Sequence, residues 1–148
     1  MRAVVQRVRA ARVEVDGAAV AEIGRGMVAF VAVERDDGPG QVLWMADKLV
    51  HLRLFEGPAG KLDLSVSQVA GEILLVPNFT VAGDCRRGRR PDFTRAAPGE
   101  RAAELFHGLV EAVREAGVGV ASGRFGASMR VVVENDGPVT LVVDGCPR

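Results

Sequence analysis

Histidine, cysteine and lysine are scarce in this sequence, and their scarcity narrows the chemistry it can support. The 148 residues include two histidines, two cysteines and, among 19 basic residues, only two lysines. His51 and His107 have no serine or cysteine nearby along the chain, so a nucleophile–histidine triad has no support from the sequence. Cys85 and Cys146 have neither C-x-x-C spacing nor histidine partners, which predicts two free thiols and no metal site.

Long hydrophobic runs, nucleotide-binding loops and a surplus of charge are also missing. No stretch approaches the roughly 20 consecutive apolar residues of a membrane span, and the N-terminal segment lacks the order of a signal peptide. Neither G-x-x-x-x-G-K-[ST] nor a well-placed G-x-G-x-x-G occurs, and the formal net charge is zero. We therefore expect a cytoplasmic protein with no membrane contact, no cofactor and no overall positive charge for coating nucleic acid.

What is present predicts a folded α+β protein. The chain is 48% hydrophobic and 26% charged, and its length suits one domain, residues 1–148, around one core. Helical periodicity predicts two helices, over about 41–52 and 99–116. Strand patterns predict seven to nine strands, among them the segments 3–8, 12–16, 20–23, 27–33, 62–66, 72–76, 118–125, 130–134 and 139–143.

The first candidate site is the segment Pro77-Asn78-Phe79-Thr80, which follows a predicted buried strand. Proline cannot donate a hydrogen bond to a sheet, so the chain is expected to leave the sheet here and to turn the backbone amides of residues 78 to 80 toward a ligand. Such amides are what an oxyanion hole requires. The same residues also fit a plain strand end with a capping asparagine and a core phenylalanine.

The second candidate site is the dipeptide Gly137-Pro138, within a segment predicted to be a turn between two strands, 130–134 and 139–143. A Gly-Pro bond prefers trans by only about 0.5 to 1 kcal/mol, so a tight turn accommodates the cis form. A cis bond directs the Gly137 carbonyl outward beside a rigid ring, which makes a recognition element. An ordinary turn is the alternative.

Five arginines crowd between Arg86 and Arg95, inside a stretch from Ala82 to Pro98 that has no periodic pattern. Unpatterned loops of this length are usually functional or mobile. Arginine is well suited to bidentate phosphate contacts, so the cluster fits either an RNA-binding loop or a solvated one.

Six motifs, in order along the chain, resemble those of the D-aminoacyl-tRNA deacylase family, which includes D-tyrosyl-tRNA deacylases. They are Ala3-Val4-Val5-Gln6-Arg7-Val8, Gly60-Lys61-Leu62-Asp63-Leu64-Ser65-Val66, Val76-Pro77-Asn78-Phe79-Thr80, Arg86-Arg87-Gly88-Arg89-Arg90-Pro91 with Phe93, Gly123-Arg124-Phe125-Gly126-Ala127 with Met129, and Asn135-Asp136-Gly137-Pro138-Val139-Thr140. The match runs from about residue 1 to residue 143. The resemblance implies a compact α+β domain on a curved, barrel-like sheet with two helices.

The resemblance also implies a homodimer whose active site lies at the subunit interface. Phe79-Thr80 of one subunit is expected to face Gly137-Pro138 of the other, with the Phe79 and Thr80 amides on the ester carbonyl and the Gly137 carbonyl on the α-amino group. Phe125 and Met129 are expected to enclose the terminal adenine of the tRNA 3′ end, and Arg7 to brace the Gly-Pro loop.

These roles imply selection by exclusion. A cis-Pro138 ring occupies the space of an L side chain, whereas a D side chain points away and glycine has none, so D-aminoacyl-tRNA and glycyl-tRNA mischarged on alanine tRNA are both expected substrates. Thr80 has no evident base, so backbone amides and the ribose 2′-hydroxyl are favoured as the catalytic groups over a threonine nucleophile.

One position departs from the family pattern, because Pro77-Asn78 stands where Ser-Gln is typical. A related group that removes L-alanine from threonine tRNA also carries proline at the first position, although it changes the phenylalanine that is kept here as Phe79. Two alternatives therefore stay open, a deacylase for that L substrate and a non-catalytic RNA-binding module.

Overall fold

The computed structural model describes residues 1–144. Two α-helices, eight strands and one short 3-10 helix follow one another along the chain. The strands are β1 (Arg2–Val15), β2 (Ala18–Ile23), β3 (Gly26–Ala32), β4 (Arg53–Glu56), β5 (Leu62–Ser65), β6 (Glu72–Pro77), β7 (Gly119–Ser122) and β8 (Arg130–Val143); the α-helices are α1 (Pro39–His51) and α2 (Gly99–Glu115), and the 3-10 helix spans Phe79–Ala82. The predicted α+β class and the two predicted helices are confirmed.

Six strands form one curved mixed sheet. Its order is β2-β1-β3-β6-β7, with β8 paired to β1, while β4 and β5 form a separate hairpin. Strand β1 is antiparallel to β2, β3 and β8, whereas β6 is parallel to both β3 and β7. Because β1 contacts β3 with its first half and β2 with its second half, the sheet curls around this long strand.

The two faces of the sheet bury two different apolar layers. One layer lies between the sheet and the helices and includes Met27, Ile73 and Leu109. The opposite face carries Val28 and Leu74, which pack inside the curl of the sheet. The uninterrupted apolar runs of β3 and β6 follow from this double coverage. Among residues 1–144 no helix is long and apolar enough to cross a bilayer.

The sequence prediction is wrong in dividing β1 and β8 into two strands each. In β1 the register against β8 shifts between Val8 and Ala10, so Arg9 is an extra residue. Arg7 and Val8 next to it are both buried, so the alternation of buried and exposed positions read from sequence is interrupted there. In β8 the segment 136–139 is a bulge in a continuous strand, not a turn between two strands.

Candidate active site

The chain leaves the sheet at Pro77, the last residue of β6, and turns at once into the 3-10 helix. The Asn78 N–H donates to the Val31 carbonyl at 2.8 Å, which completes the parallel ladder. The Asn78 side-chain oxygen accepts the Thr80 N–H at 3.2 Å and also the Thr80 hydroxyl. Asparagine is a favoured cap because its side chain satisfies an amide that has no partner within the helix.

Of the three amides predicted to face a ligand, this turn therefore leaves one free. The Asn78 and Thr80 N–H groups are occupied within the chain, whereas the Phe79 N–H has no acceptor among residues 1–144. The Thr80 hydroxyl donates to an amide oxygen, which is not a base, so it gains no nucleophilicity from this contact. The group that this turn offers to a ligand is therefore a backbone N–H donor.

The Phe79 ring is 59% exposed although it is large and apolar. The ring packs against Phe93, edge to face at 5.1 Å between centroids. Gly83 permits this contact, since a Cβ there would lie 2.8 Å from the Phe93 ring. An exposed aromatic ring fixed in this way marks a contact surface.

Behind the turn lies an apolar cavity of about 360 Å³. Its lining includes four of the predicted site residues, which are Asn78, Phe79, Phe125 and Met129. Phe125 packs against Phe106 of α2 at 6.2 Å between ring centroids. A cavity of this size and composition accommodates a small planar group.

Phe106 and Gly123 contribute to this cavity in ways that the sequence did not reveal. Phe106 lies on the apolar stripe of an amphipathic helix, where nothing distinguishes a cavity wall from a core residue. A Cβ on Gly123 would lie 2.8 Å from the Met129 sulfur, so glycine allows Met129 to pack over it.

The Gly137-Pro138 segment forms the bulge of β8 opposite Arg7. Gln6 pairs with Thr140 and Val8 with Asn135, so four residues of β8, 136–139, lie opposite one residue of β1. The Gly137-Pro138 peptide bond is cis, and both residues are exposed. Gly137 has φ +140°, a conformation that residues with a side chain rarely adopt.

Arg7 supports this bulge from beneath. Although charged, it is only 7% exposed. Its Nε donates to the Asp136 carbonyl at 3.0 Å and its Nη1 to the Leu54 carbonyl at 2.9 Å. Asn135 ties the base of the bulge, because its side-chain N–H group donates to the Val139 carbonyl at 3.0 Å.

The two candidate segments are not brought together within one chain. Strand β8 carries the bulge and lies on one side of β1. Strand β6 ends at the Phe79 turn and lies on the other side of β1, with β3 between them. With strands about 4.8 Å apart, the segments are separated by about 14 Å measured along the sheet.

The remaining chemically active side chains lie outside this region. His51 and His107 are exposed on the two helices, and His51 pairs with Asp47. Cys85 is an exposed free thiol, whereas Cys146 lies outside the described residues. Within residues 1–144, no three His, Cys, Asp or Glu side chains are grouped to hold a metal ion.

Comparison with known proteins gives a consistent result. A family model described as D-Tyr-tRNA(Tyr) deacylase matches residues 4–144. A D-aminoacyl-tRNA deacylase of Carboxydothermus hydrogenoformans is 53% identical over 144 residues, covering 97% of this chain and 99% of the relative. One of Geobacter sulfurreducens is 49% identical, covering 97% and 95%.

Solved structures also share the fold, and two of them illustrate it. A c-Myc DNA unwinding element binding protein superimposes with a TM-score of 0.93 at 36% identity, covering 99% of this chain and 100% of the other. A probable eukaryotic D-amino acid tRNA deacylase has a TM-score of 0.82 at 21% identity, covering 96% and 97%, and shows the fold alone. The family match over nearly the whole chain, together with relatives at about half identity, shows that the chain belongs to the D-Tyr-tRNA(Tyr) deacylase family.

Proposed function

We propose that this protein hydrolyses the ester bond of D-aminoacyl-tRNA, and of glycyl-tRNA mischarged on alanine tRNA, releasing the amino acid and the tRNA. Membership of a deacylase family makes it an enzyme, as the resemblance implied. The single observation that supports the chemistry is the Phe79 N–H, which has no acceptor among residues 1–144 and belongs to a residue lining an apolar cavity. Removal of wrongly attached amino acids in the cytoplasm is proofreading of translation.

The cavity receives the terminal adenine of the tRNA. Phe125 and Met129 line it and present an aromatic ring and a polarisable thioether. Unpaired bases stack on such groups. With the adenine held there, the ester on its ribose lies toward the mouth of the cavity, beside Phe79.

Hydrolysis then needs stabilisation of charge more than a side-chain nucleophile. Water adds to the ester carbonyl carbon, the negative charge moves to the carbonyl oxygen, and the Phe79 N–H donates to that oxygen. The carbon–oxygen bond to the ribose breaks, and the proton lost by the water passes to the ribose oxygen. The neighbouring 2′-hydroxyl positions the water.

Chirality is selected by the exposed bulge. The Gly137 carbonyl accepts from the α-amino group, and the Pro138 ring fills the space next to it, so an L side chain is excluded. A D side chain points away, and glycine has none to exclude. Discrimination by exclusion requires no pocket for a particular side chain, so D residues of different size are accepted.

The site is completed by a second copy of the chain. Phe79 and Gly137 lie in segments about 14 Å apart along the sheet, too far to hold one α-carbon between them. Strand β8 pairs only with β1 among the described strands, and beside the bulge it exposes Leu141 and Val142, the latter at 65%. A long strand edge with exposed apolar side chains is a surface for another chain. A symmetric dimer brings the bulge of each subunit to the Phe79 turn of its partner.

A second candidate substrate is L-alanine on threonine tRNA, favoured by Pro77 alone. Pro77 replaces a serine hydroxyl and N–H that are typical of the family, and its ring lines the cavity next to Gly123. Proline presents less polar surface than serine at this position, and this difference changes which substrates the site excludes. Phe79 remains, which favours the D substrate.

One assay decides among the substrates. Purified protein is incubated with D-tyrosyl-tRNA, L-tyrosyl-tRNA, glycyl-tRNA carrying the alanine anticodon and L-alanyl-tRNA carrying the threonine anticodon, and ester loss is followed. The proposal predicts hydrolysis of the D and glycyl esters with the L-tyrosyl ester spared. Preferred hydrolysis of the L-alanyl ester selects the second candidate, and binding without hydrolysis of any substrate leaves only an RNA-binding module.

A further inference from the structure

We propose that the loop between Asp84 and Asp92 binds the phosphates of the tRNA strand whose 3′ end carries the ester, through Arg87, Arg89 and Arg90. This inference rests on the proposed function, since it identifies where the rest of the same substrate is held. It assigns a binding surface to residues that neither the cavity nor the Gly-Pro bulge uses.

The loop is tied directly to the Phe79 turn at both of its ends. At its start, the Gly83 N–H donates to the Thr80 carbonyl at 2.9 Å. Beyond its end, the Phe93 ring packs edge to face on Phe79. A two-way backbone contact between Asp84 and Asp92, at 2.8 and 2.9 Å, closes its base. Both ends of the loop therefore lie beside the turn at which the ester is proposed to be cleaved.

Two of the five arginines in this region are neutralised by carboxylates. Arg86 pairs with Asp84, and its hydrogen bond holds the pKa of that carboxyl well below its usual range. Arg95 pairs with Glu34 at 2.6 Å. These two pairs fix the base of the loop without contributing free positive charge.

The other three arginines carry the surplus charge. Arg87, Arg89 and Arg90 are exposed, and none of them has an ion pair with the carboxylates of residues 1–144. Gly88, with φ +69°, turns the chain between them, so the three side chains extend from one short tip. Unpaired cations gathered on a protein of zero net charge attract an anionic partner locally.

The position of the loop tip, close to the Phe79 turn, indicates which anionic group it binds. Arg87 is four residues beyond Gly83, so its backbone lies within about 14 Å of the Phe79 turn. With the terminal adenine in the cavity, the phosphates of the preceding nucleotides pass within reach of this tip. Guanidinium groups bind phosphate oxygens in a bidentate way, and such contacts position a nucleic acid without reading its sequence.

The test compares the full substrate with one that lacks phosphates. The variant R87Q/R89Q/R90Q removes the three charges from exposed side chains, and R87K/R89K/R90K keeps them. The control K48Q/R53Q/K61Q removes three charges from helix α1 and the β4–β5 hairpin. Each protein is assayed with D-tyrosyl-tRNA and with the D-tyrosyl ester of adenosine, and its binding of uncharged tRNA is measured against salt concentration.

For the glutamine variant we expect KM for D-tyrosyl-tRNA to rise about tenfold at physiological salt. Each of the three lost contacts contributes a factor of about two. The slope of log affinity for uncharged tRNA against log salt should fall by about 2, from about 0.7 per single-strand phosphate contact. Hydrolysis of the adenosine ester should be unchanged. The lysine variant should keep the salt slope, and the control should match the parent in every measurement.

Three results overturn the inference. These are an unchanged salt slope, an equal loss on both esters, which indicates that the loop only supports the Phe79 turn, and an equal loss in the control, which indicates a diffuse effect of charge. A parent protein that cleaves neither ester refutes the proposed function instead, and the binding of uncharged tRNA then still decides the role of the loop.

Discussion

At the scale of single residues, the proposed chemistry depends on one backbone group, the N–H of Phe79. Asn78 occupies the Thr80 N–H and hydroxyl, so the Phe79 N–H is the donor that remains for an oxyanion. Sequence reasoning selected this segment because proline ends the strand. It gave a capping asparagine as the alternative to amides that face a ligand, whereas the structure combines a cap on the Thr80 N–H with a free Phe79 N–H.

Phe79 allows its ring and its N–H to be tested separately. Phe79→Ala removes the ring and keeps the N–H, whereas Phe79→Pro removes both, and proline is tolerated at the first position of a helical turn. We expect Phe79→Pro to lower kcat by a further factor of about 10² relative to Phe79→Ala, the usual loss for one oxyanion donor. Single-turnover ester hydrolysis measures this. Equal rates for the two variants would rule out the Phe79 N–H as the donor.

Thr80→Ala tests the alternative nucleophile. The hydroxyl donates to an amide oxygen and has no base, so its loss should reduce kcat by less than about tenfold, a change attributable to a less ordered turn. Thermal unfolding and tRNA binding serve as controls of the fold. Abolished turnover in a protein that still folds and still binds tRNA would restore a threonine nucleophile and remove the backbone account.

At the scale of elements, the sequence predicted the types correctly and the continuity of two strands incorrectly. The alternation in β1 changes phase at Arg9, and Asn-Asp-Gly-Pro in β8 has the composition of a turn. Both strands nevertheless continue, because pairing on either side of the interruption holds them in one sheet. Local composition cannot report such pairing, so the bulge that carries Gly137-Pro138 was read as a turn.

Two arginines of β1, Arg7 and Arg9, allow a test of whether side-chain contacts hold the bulge in position. Arg7 is buried and donates to two carbonyls, whereas Arg9 is exposed and, among residues 1–144, pairs only with the Asp136 side chain, at 3.2 Å. Arg7→Lys keeps the charge and cannot span both carbonyls, and an unsatisfied buried acceptor costs about 1 to 3 kcal/mol.

We therefore expect Arg7→Lys to lower the melting temperature and to reduce the ratio of D to L hydrolysis about tenfold. A tenfold change corresponds to a loss of about 1.4 kcal/mol in the free-energy difference between the two reactions. Arg9→Lys should leave both the melting temperature and the ratio near those of the parent, as is usual for exposed pairs. The ratio is measured on D-tyrosyl-tRNA and L-tyrosyl-tRNA. If Arg7→Lys lowers stability without changing the ratio, Arg7 is structural only and does not position Gly137-Pro138.

At the scale of the whole molecule, the proposed site needs two chains. The family and its enzyme class followed from motifs distributed over the whole sequence, and the comparisons confirm both. The pairing of subunits remains a proposal, supported by the single chain's carrying both candidate segments and holding them apart. The order of the strands in the folded sheet shows this separation. The sequence patterns predict individual strands and do not predict that order.

The most direct measurement of this requirement is complementation between two inactive variants. Phe79→Pro removes the donor from one segment. Gly137→Val displaces the other, since a Cβ at that position would lie 2.7 Å from the Val139 nitrogen. Heterodimers containing one copy of each variant are purified through two different affinity tags. Their hydrolysis of D-tyrosyl-tRNA is then compared with that of the parent and of each variant alone.

In a symmetric dimer, one of the two sites of this heterodimer combines an intact Phe79 turn from one subunit with an intact bulge from the other. The account therefore predicts about half of the parental rate, although each variant alone is nearly inactive. A heterodimer as inactive as the variants would contradict it, because each site would then be built within a single chain.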